Sequence, residues 1–193
     1  MNIEFTPDHK DALQELMNIS MGRAASKLAT LIDLHVTLSI PNIRVAKDDD
    51  LRDLETLEES HYYTRQSFFG GIDGELITLL SKEGCHHVVK SLHNEEAFDV
   101  STELLADSIL DVSNILSGAS LKGLSQQMEL TTKIHSPVLF EPSKQPLPVS
   151  DWQLALVMEI SFLVEEASFE AKSVVCFADN DLENVISLLD ELI

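Results

Sequence analysis

Apolar residues return at intervals of three and four along the N-terminal stretch, at Leu13, Leu16, Met17, Met21, Ala24, Leu28 and Leu31. That spacing puts them on one face of a helix. Thr6 followed by Pro7 supplies a start, a hydroxyl to cap a free backbone N–H and then a proline whose missing N–H costs nothing there. A helix is therefore expected over about 7–32. Residues 35–40 alternate and stop before Pro41, which suits a strand. Strand patterns at 61–69 and 73–80 flank the turn signal Gly70-Gly71 and predict a hairpin, followed by a helix over 82–93. The order then recurs, with a helix over 100–128, a strand over 132–140, a loop holding Pro142, Pro146 and Pro148, strands over 153–164 and 167–177, and a last helix over 179–192. Short links between neighbouring strands imply antiparallel pairing, so the fold class is α/β, a mostly antiparallel sheet with long helices packed on it.

The recurrence extends to individual residues. Asp11, Glu15, Asn18, Gly22 and Pro41 are matched, each 96 residues later, by Asp107, Asp111, Asn114, Gly118 and Pro137. The apolar frame follows at the same offset, with Ile19 on Ile115, Leu28 on Leu124 and Leu34 on Leu130. Further on the offset grows by one, so that Val88 falls on Val185 and Leu92 on Leu189. A period this long is no solenoid, whose units run to roughly 20–50 residues. It predicts a single domain over 1–193 built from two homologous halves, about 1–96 and 97–193, related by a pseudo-two-fold axis.

The repeated polar residues fall at i, i+4, i+7 and i+11, on one narrow helical face. A mid-helix asparagine is a poor helix former, and a glycine one turn later costs about 1 kcal/mol more than alanine. Finding both twice at one phase means that another requirement overrides propensity. The amides of Asn18 and Asn114 can donate and accept at once, as needed to hold a water in line with a phosphoryl group. Glu15 and Asp111, one turn earlier, are placed to pair with a partner's lysine, and Asp11 and Asp107 to meet a partner's rim. Gly22 and Gly118 complete the partner-facing set by admitting another backbone. The simpler reading of these glycines, which we favour from sequence, is that they let two helices of the domain pack. A lone carboxylate on a helix is usually just solvated; duplication at constant offset is what selects these.

Composition narrows the field of partners. With 33 acidic against 13 basic residues the formal charge is −20, which disfavours nucleic acid and anionic membrane surfaces. A protein partner offering a basic contact fits better, and acidity also serves solubility. The acid-rich segment 47–60 is expected to be a surface loop with a short helix. Cys85 and Cys176 lack metal or redox spacing and are expected to be buried thiols in a reducing cytoplasm. The first residues lack a signal peptide's basic and apolar regions, and the apolar run 154–164 is interrupted by Glu159 and too short to span a bilayer. A soluble, cytoplasmic protein without membrane insertion is expected. The adjacent His86 and His87 cannot share one helix face, so no metal site is expected of them. Trp152 opens a strand pattern, as a core or rim anchor would.

The pattern Asp-x3-Glu-x2-Asn with Pro 22 residues further on, here Asp11, Glu15, Asn18 and Pro41, resembles the signature of the CheC-type phosphatases of bacterial chemotaxis, whose relatives are CheX and FliY. The text from Asn18 to Ala25 and from Asn114 to Gly118 is also CheC-like, and two motif copies fit CheC better than the single-motif CheX. The resemblance spans essentially the whole chain and implies the duplicated CheC-like fold. It implies a phosphatase for the aspartyl phosphate of a CheY-like response regulator, with Glu15 and Asp111 pairing with a regulator lysine and Asn18 and Asn114 positioning the attacking water. It implies no cofactor of its own, the magnesium ion being supplied by the regulator, and admits CheD as a second partner. The alternative is a non-catalytic module that binds a regulator or CheD, or a flagellar-switch adaptor like FliM, which shares the fold without the catalytic residues. The second copy departs from the family pattern in having Asp111 where glutamate is expected.

Overall fold

The computed structural model describes residues 5–47, 60–93, 100–141 and 154–193. Helix α1 is Pro7–Ile32. The Thr6 side chain accepts from the His9 backbone N–H at 3.3 Å, and His9 Nδ1 accepts from the Thr6 N–H at 3.1 Å, a reciprocal cap. With Nδ1 accepting, the His9 proton sits on Nε2, which donates to Asp190 at 2.8 Å. The buried stripe holds Leu13, Met17, Met21, Ala24 and Leu28, with Leu16 half-buried. Each large side chain fully buried there contributes roughly 1.5–3 kcal/mol. Leu31 departs from expectation at 41% exposed. The stripe steps by four from Leu28 to Ile32, which is buried instead, just before Asp33 ends the helix in the left-handed conformation (φ 53°).

Strands β1 (Thr37–Leu38) and β2 (Asn42–Lys47) replace the single strand expected before Pro41. Both pair antiparallel with β7 (Leu154–Val164), on either side of the proline. The second half repeats the correction, β5 (Thr132–Ile134) and β6 (Val138–Phe140) flanking Pro137 and pairing with β3 (His61–Gly70). A proline donates no ladder hydrogen bond and so interrupts an edge strand without ending it.

The hairpin of β3 with β4 (Gly74–Ser81) forms as expected. Gly70, at φ 133°, turns the chain, its N–H donating to Asp73 Oδ1 at 3.0 Å. Helix α2 is Lys82–His93, α3 is Thr102–Gln127 with Ser101 as its cap, β8 is Phe169–Ala178 and α4 is Asp179–Asp190. One sheet of mostly antiparallel strands runs in the order β1-β7-β8-β4-β3-β5, with β2 also on β7 and β6 also on β3. The central pair is β4–β8, one strand from each half.

All four helices bury their apolar faces on one side of this sheet. Its core joins Leu13, Met17 and Leu28 of α1 and Ile109, Val112 and Leu116 of α3 to Phe68, Leu76, Phe162 and Phe177 of the strands. A smaller cluster on the opposite face includes Tyr63, Ile77, Phe140, Val157, Val174 and Cys176. Helix α3 is long and apolar enough to cross a membrane by length and composition, yet 56% of that window is buried inside the fold. It is a core helix. Cys85 and Cys176 are both buried, and burial pushes each thiol up to about 12. The acid-rich segment beyond Lys47, the proline loop with Pro142, Pro146 and Pro148, and Trp152 lie outside the described residues.

Candidate functional site

Helices α1 and α3 pack antiparallel, the middle of α1 lying against the C-terminal turns of α3. Gln127 Nε2 of α3 donates to the Leu16 carbonyl at 3.1 Å and to Ser20 Oγ at 2.7 Å. The backbones come close at Gly123, where an added Cβ would stand 3.0 Å from the Ser20 Cα and 2.9 Å from its Oγ. Ser20, Ser108, Ser117 and Ser120 are buried on this pair of helices, each hydroxyl donating to the carbonyl one turn back. Small residues whose polar groups are satisfied within their own helix let the two backbones approach.

The repeated polar face points away from this contact. Asp11, Glu15 and Asn18 on α1 are exposed, as are Asp107, Asp111 and Asn114 on α3, and Gly22 and Gly118 are half-buried. With Leu16 opposite Gln127 and Ser20 opposite Gly123, the two asparagines lie roughly 15 Å apart along the helix axes, at about 1.5 Å rise per residue. The packing expected of the glycines is not what they do. A Cβ built on either Gly22 or Gly118 meets nothing within 4 Å, so among the described residues neither glycine is required for close approach. Gly123 takes that role.

Each motif has its proline loop tied beside it, by a different glutamine. At the first, Gln14 Nε2 on α1 donates to the Pro41 carbonyl at 3.2 Å. At the second, Gln66 Nε2 on β3 donates to the His135 carbonyl at 2.8 Å and faces Asn114 Oδ1 at 3.4 Å. The layer beneath differs as well. Under Asn114 lie Thr64 and Ser113, whose hydroxyls bond at 2.9 Å, and Ser117. The counterparts of Ser113 and Ser117 at the 96-residue offset are Met17 and Met21, both buried. Gln66 pairs with Leu76 in β3–β4, and Ile160 pairs in β7–β8 with Ser173, the residue 97 beyond Leu76, so Ile160 stands where Gln66 does; by the same register Met158 stands for Thr64. The first site rests on an apolar floor and the second on a polar one.

Two exposed apolar residues frame the first site, Ile19 at 42% and Ile40 at 78%. Among the described residues no group of three His, Cys, Asp or Glu side chains could hold a metal ion. His86 and His87 are both exposed, and His87 Nδ1 lies 2.9 Å from the Ala167 carbonyl. Sequence reading did not anticipate Gln14 or Gln66. Gln14 sits one position off the motif face, and Gln66 is a buried polar residue inside an otherwise ordinary strand pattern.

Comparison with known proteins bears on this geometry. The sequence pattern of the CheC-like family matches residues 9–43, the stretch carrying Asp11, Glu15, Asn18, Gly22 and Pro41. No curated relative matches the sequence. The fold is similar to that of Thermotoga maritima FliY, with a TM-score of 0.75 at 17% identity over 98% of this chain and 99% of that one. A chain of the CheX–CheY–BeF3–Mg2+ complex from Borrelia burgdorferi matches with a TM-score of 0.58 at 15% identity, over 81% of this chain and 95% of that one. The FliM middle domain from H. pylori matches with a TM-score of 0.65 at 11% identity, over 95% and 99%. Identities this low speak for the fold alone. The CheC-like fold and the family match over the first motif together support the resemblance to the CheC, CheX and FliY proteins.

Proposed function

We propose that this chain, CheC-like in its fold and its first motif, hydrolyses the aspartyl phosphate of a phosphorylated CheY-like response regulator in the cytoplasm and so ends a chemotaxis or related two-component signal. The observation that carries the reading is the exposure of both Asp, acid and Asn sets on helix faces that nothing among the described residues covers. Helix propensity and core packing would both have placed other residues there.

An aspartyl phosphate is an activated acyl phosphate, so its hydrolysis asks for positioning and charge stabilisation more than for a protein nucleophile. Water attacks phosphorus, the P–O bond to the regulator's aspartyl group breaks, the carboxylate leaves, and the water's proton remains with inorganic phosphate. Asn18 and Asn114 would hold the water in line through their amides. Glu15 and Asp111 would pair with a regulator lysine, Asp11 and Asp107 would meet the rim of the docked regulator, and the open positions at Gly22 and Gly118 would admit its backbone. The magnesium ion belongs, in this reading, to the regulator's own acidic site. The structural likeness to a chain from a complex of CheX with CheY supports a CheY-like partner, and CheD remains a second candidate partner through the family resemblance.

A second reading has its own support. The likeness to the FliM middle domain favours a switch-type module that binds a regulator without hydrolysing its phosphate. Two complete residue sets favour the enzyme. The deciding experiment follows the lifetime of a phosphorylated CheY-like regulator with catalytic amounts of this protein: acceleration that is lost in the Asn18/Asn114 double alanine variant supports hydrolysis, and binding without acceleration supports the module.

A further inference from the structure

We infer that Gln66 is a positioning residue for the second site, one that locks the Asn114 amide with its NH2 group outward; this rests on the phosphatase reading above. The assignment follows from donor and acceptor chemistry. The His135 carbonyl can only accept, so the amide group 2.8 Å from it must be the NH2 of Gln66. The same nitrogen lies 3.4 Å from Asn114 Oδ1, the acceptor that faces its second N–H. Asn114 therefore turns its oxygen inward and its two N–H donors toward solvent, so that, unlike Asn18, it would meet the phosphoryl group and its attacking water as a donor alone.

Gln66 is itself held in place. It is 2% exposed, in the middle of β3, whose neighbours β4 on one side and β5 and β6 on the other fix its backbone. Its carbonyl partner His135 is two residues before Pro137, so one amide ties together strand, proline loop and motif helix. At the first site Gln14 ties the motif helix to the proline loop, and among the described residues no amide reaches the asparagine as well. There Ile160 occupies the place of Gln66, Ser39 that of His135, and no side-chain hydrogen bond to Asn18 occurs among the described residues. The two asparagines thus work from different states, Asn18 free to turn and Asn114 pre-oriented.

The experiment isolates the second site in an Asn18→Ala background and adds Gln66→Met, which keeps length and removes both donors. Regulator dephosphorylation is measured alongside affinity for the beryllofluoride-treated regulator and the ps–ns mobility of the Asn114 side-chain NH2 by 15N relaxation. We expect kcat to fall about fivefold, the worth of one neutral hydrogen bond, with affinity within about twofold and a rigid Asn114 amide becoming mobile. Equal kcat in the two proteins overturns the inference, and so does a fall in affinity as large as the fall in kcat. Should the Asn18→Ala parent show no activity, second-site catalysis fails and the amide mobility alone decides: an Asn114 NH2 as mobile with Gln66 as without it overturns the positioning role.

Discussion

Ile77 of β4 is the register partner of Val174 of β8, and the same two residues correspond in the duplication. A pseudo-two-fold axis therefore passes between them, through the centre of the sheet and on between α1 and α3. Each half supplies one central strand, one motif helix and one broken edge. The two candidate sites are related by this axis, and their differences are substitutions within one frame.

The first such difference concerns reach. Asp111 is one methylene shorter than Glu15, which withdraws its carboxylate by roughly 1.5 Å, one carbon–carbon bond. Misplacement of that order can cost about a hundredfold in rate. Asn18→Ala should then lower total dephosphorylation about tenfold or more and Asn114→Ala less than about twofold, with Asp111→Glu raising the residual activity of the Asn18→Ala protein. Single-turnover decay of phosphorylated regulator measures all three, and a larger loss for Asn114→Ala contradicts the assignment.

Glycine substitutions separate folding from docking. Alanine at Gly22 or Gly118 meets nothing within 4 Å, so each should raise stability by about 1 kcal/mol through helix propensity alone. If a partner's backbone comes close there, the same variants lose regulator affinity while gaining stability. Gly123→Ala drives a methyl onto Ser20 and should cost about 1–3 kcal/mol. Urea titration of the three variants gives the stabilities, and equal effects at Gly22 and Gly123 would contradict the packing described.

Much of this arrangement is legible in the chain itself. The Thr6-Pro7 start, the three-and-four spacing of Leu13, Met17 and Leu28, and Gly70-Gly71 between alternating runs each act within a few residues, so local rules suffice. The broken edges are harder: the alternating pattern stops at Pro41 and runs on through Pro137, and only a neighbouring strand that pairs on both sides of each proline shows an edge in two pieces. The glycines mislead for a similar reason: Gly22, Gly118 and Gly123 are alike in sequence, and only the crossing of α1 over α3 decides which one is under the contact. Gln66 is invisible to periodicity altogether, since its partners His135 and Asn114 come from distant parts of the chain.

Burial of the two thiols sets an alkaline limit. Cys85 and Cys176 are held near 12 in the fold, against an ordinary value of 9.0. The folded state therefore keeps protons that the unfolded chain releases, and this contribution is complete below pH 9 and lost as pH rises from about 9 toward 12. The slope reaches about 1.4 kcal/mol per pH unit for each thiol. Denaturation between pH 8 and 11 should show falling stability that flattens in a Cys85→Ala/Cys176→Ala protein, and native thiols should resist alkylation at neutral pH. Rapid labelling of folded protein would contradict the burial.

In the proposed function the two exposed asparagine faces accelerate loss of phosphate from a response regulator. The direct measurement is the decay of 32P-labelled phospho-regulator with substoichiometric wild type and with Asn18→Ala/Asn114→Ala. Multiple turnovers with a shortened lifetime for the wild type, and the unassisted lifetime for the double variant, are the predicted result. An unchanged lifetime with wild-type protein, or equal acceleration by both proteins, would contradict it.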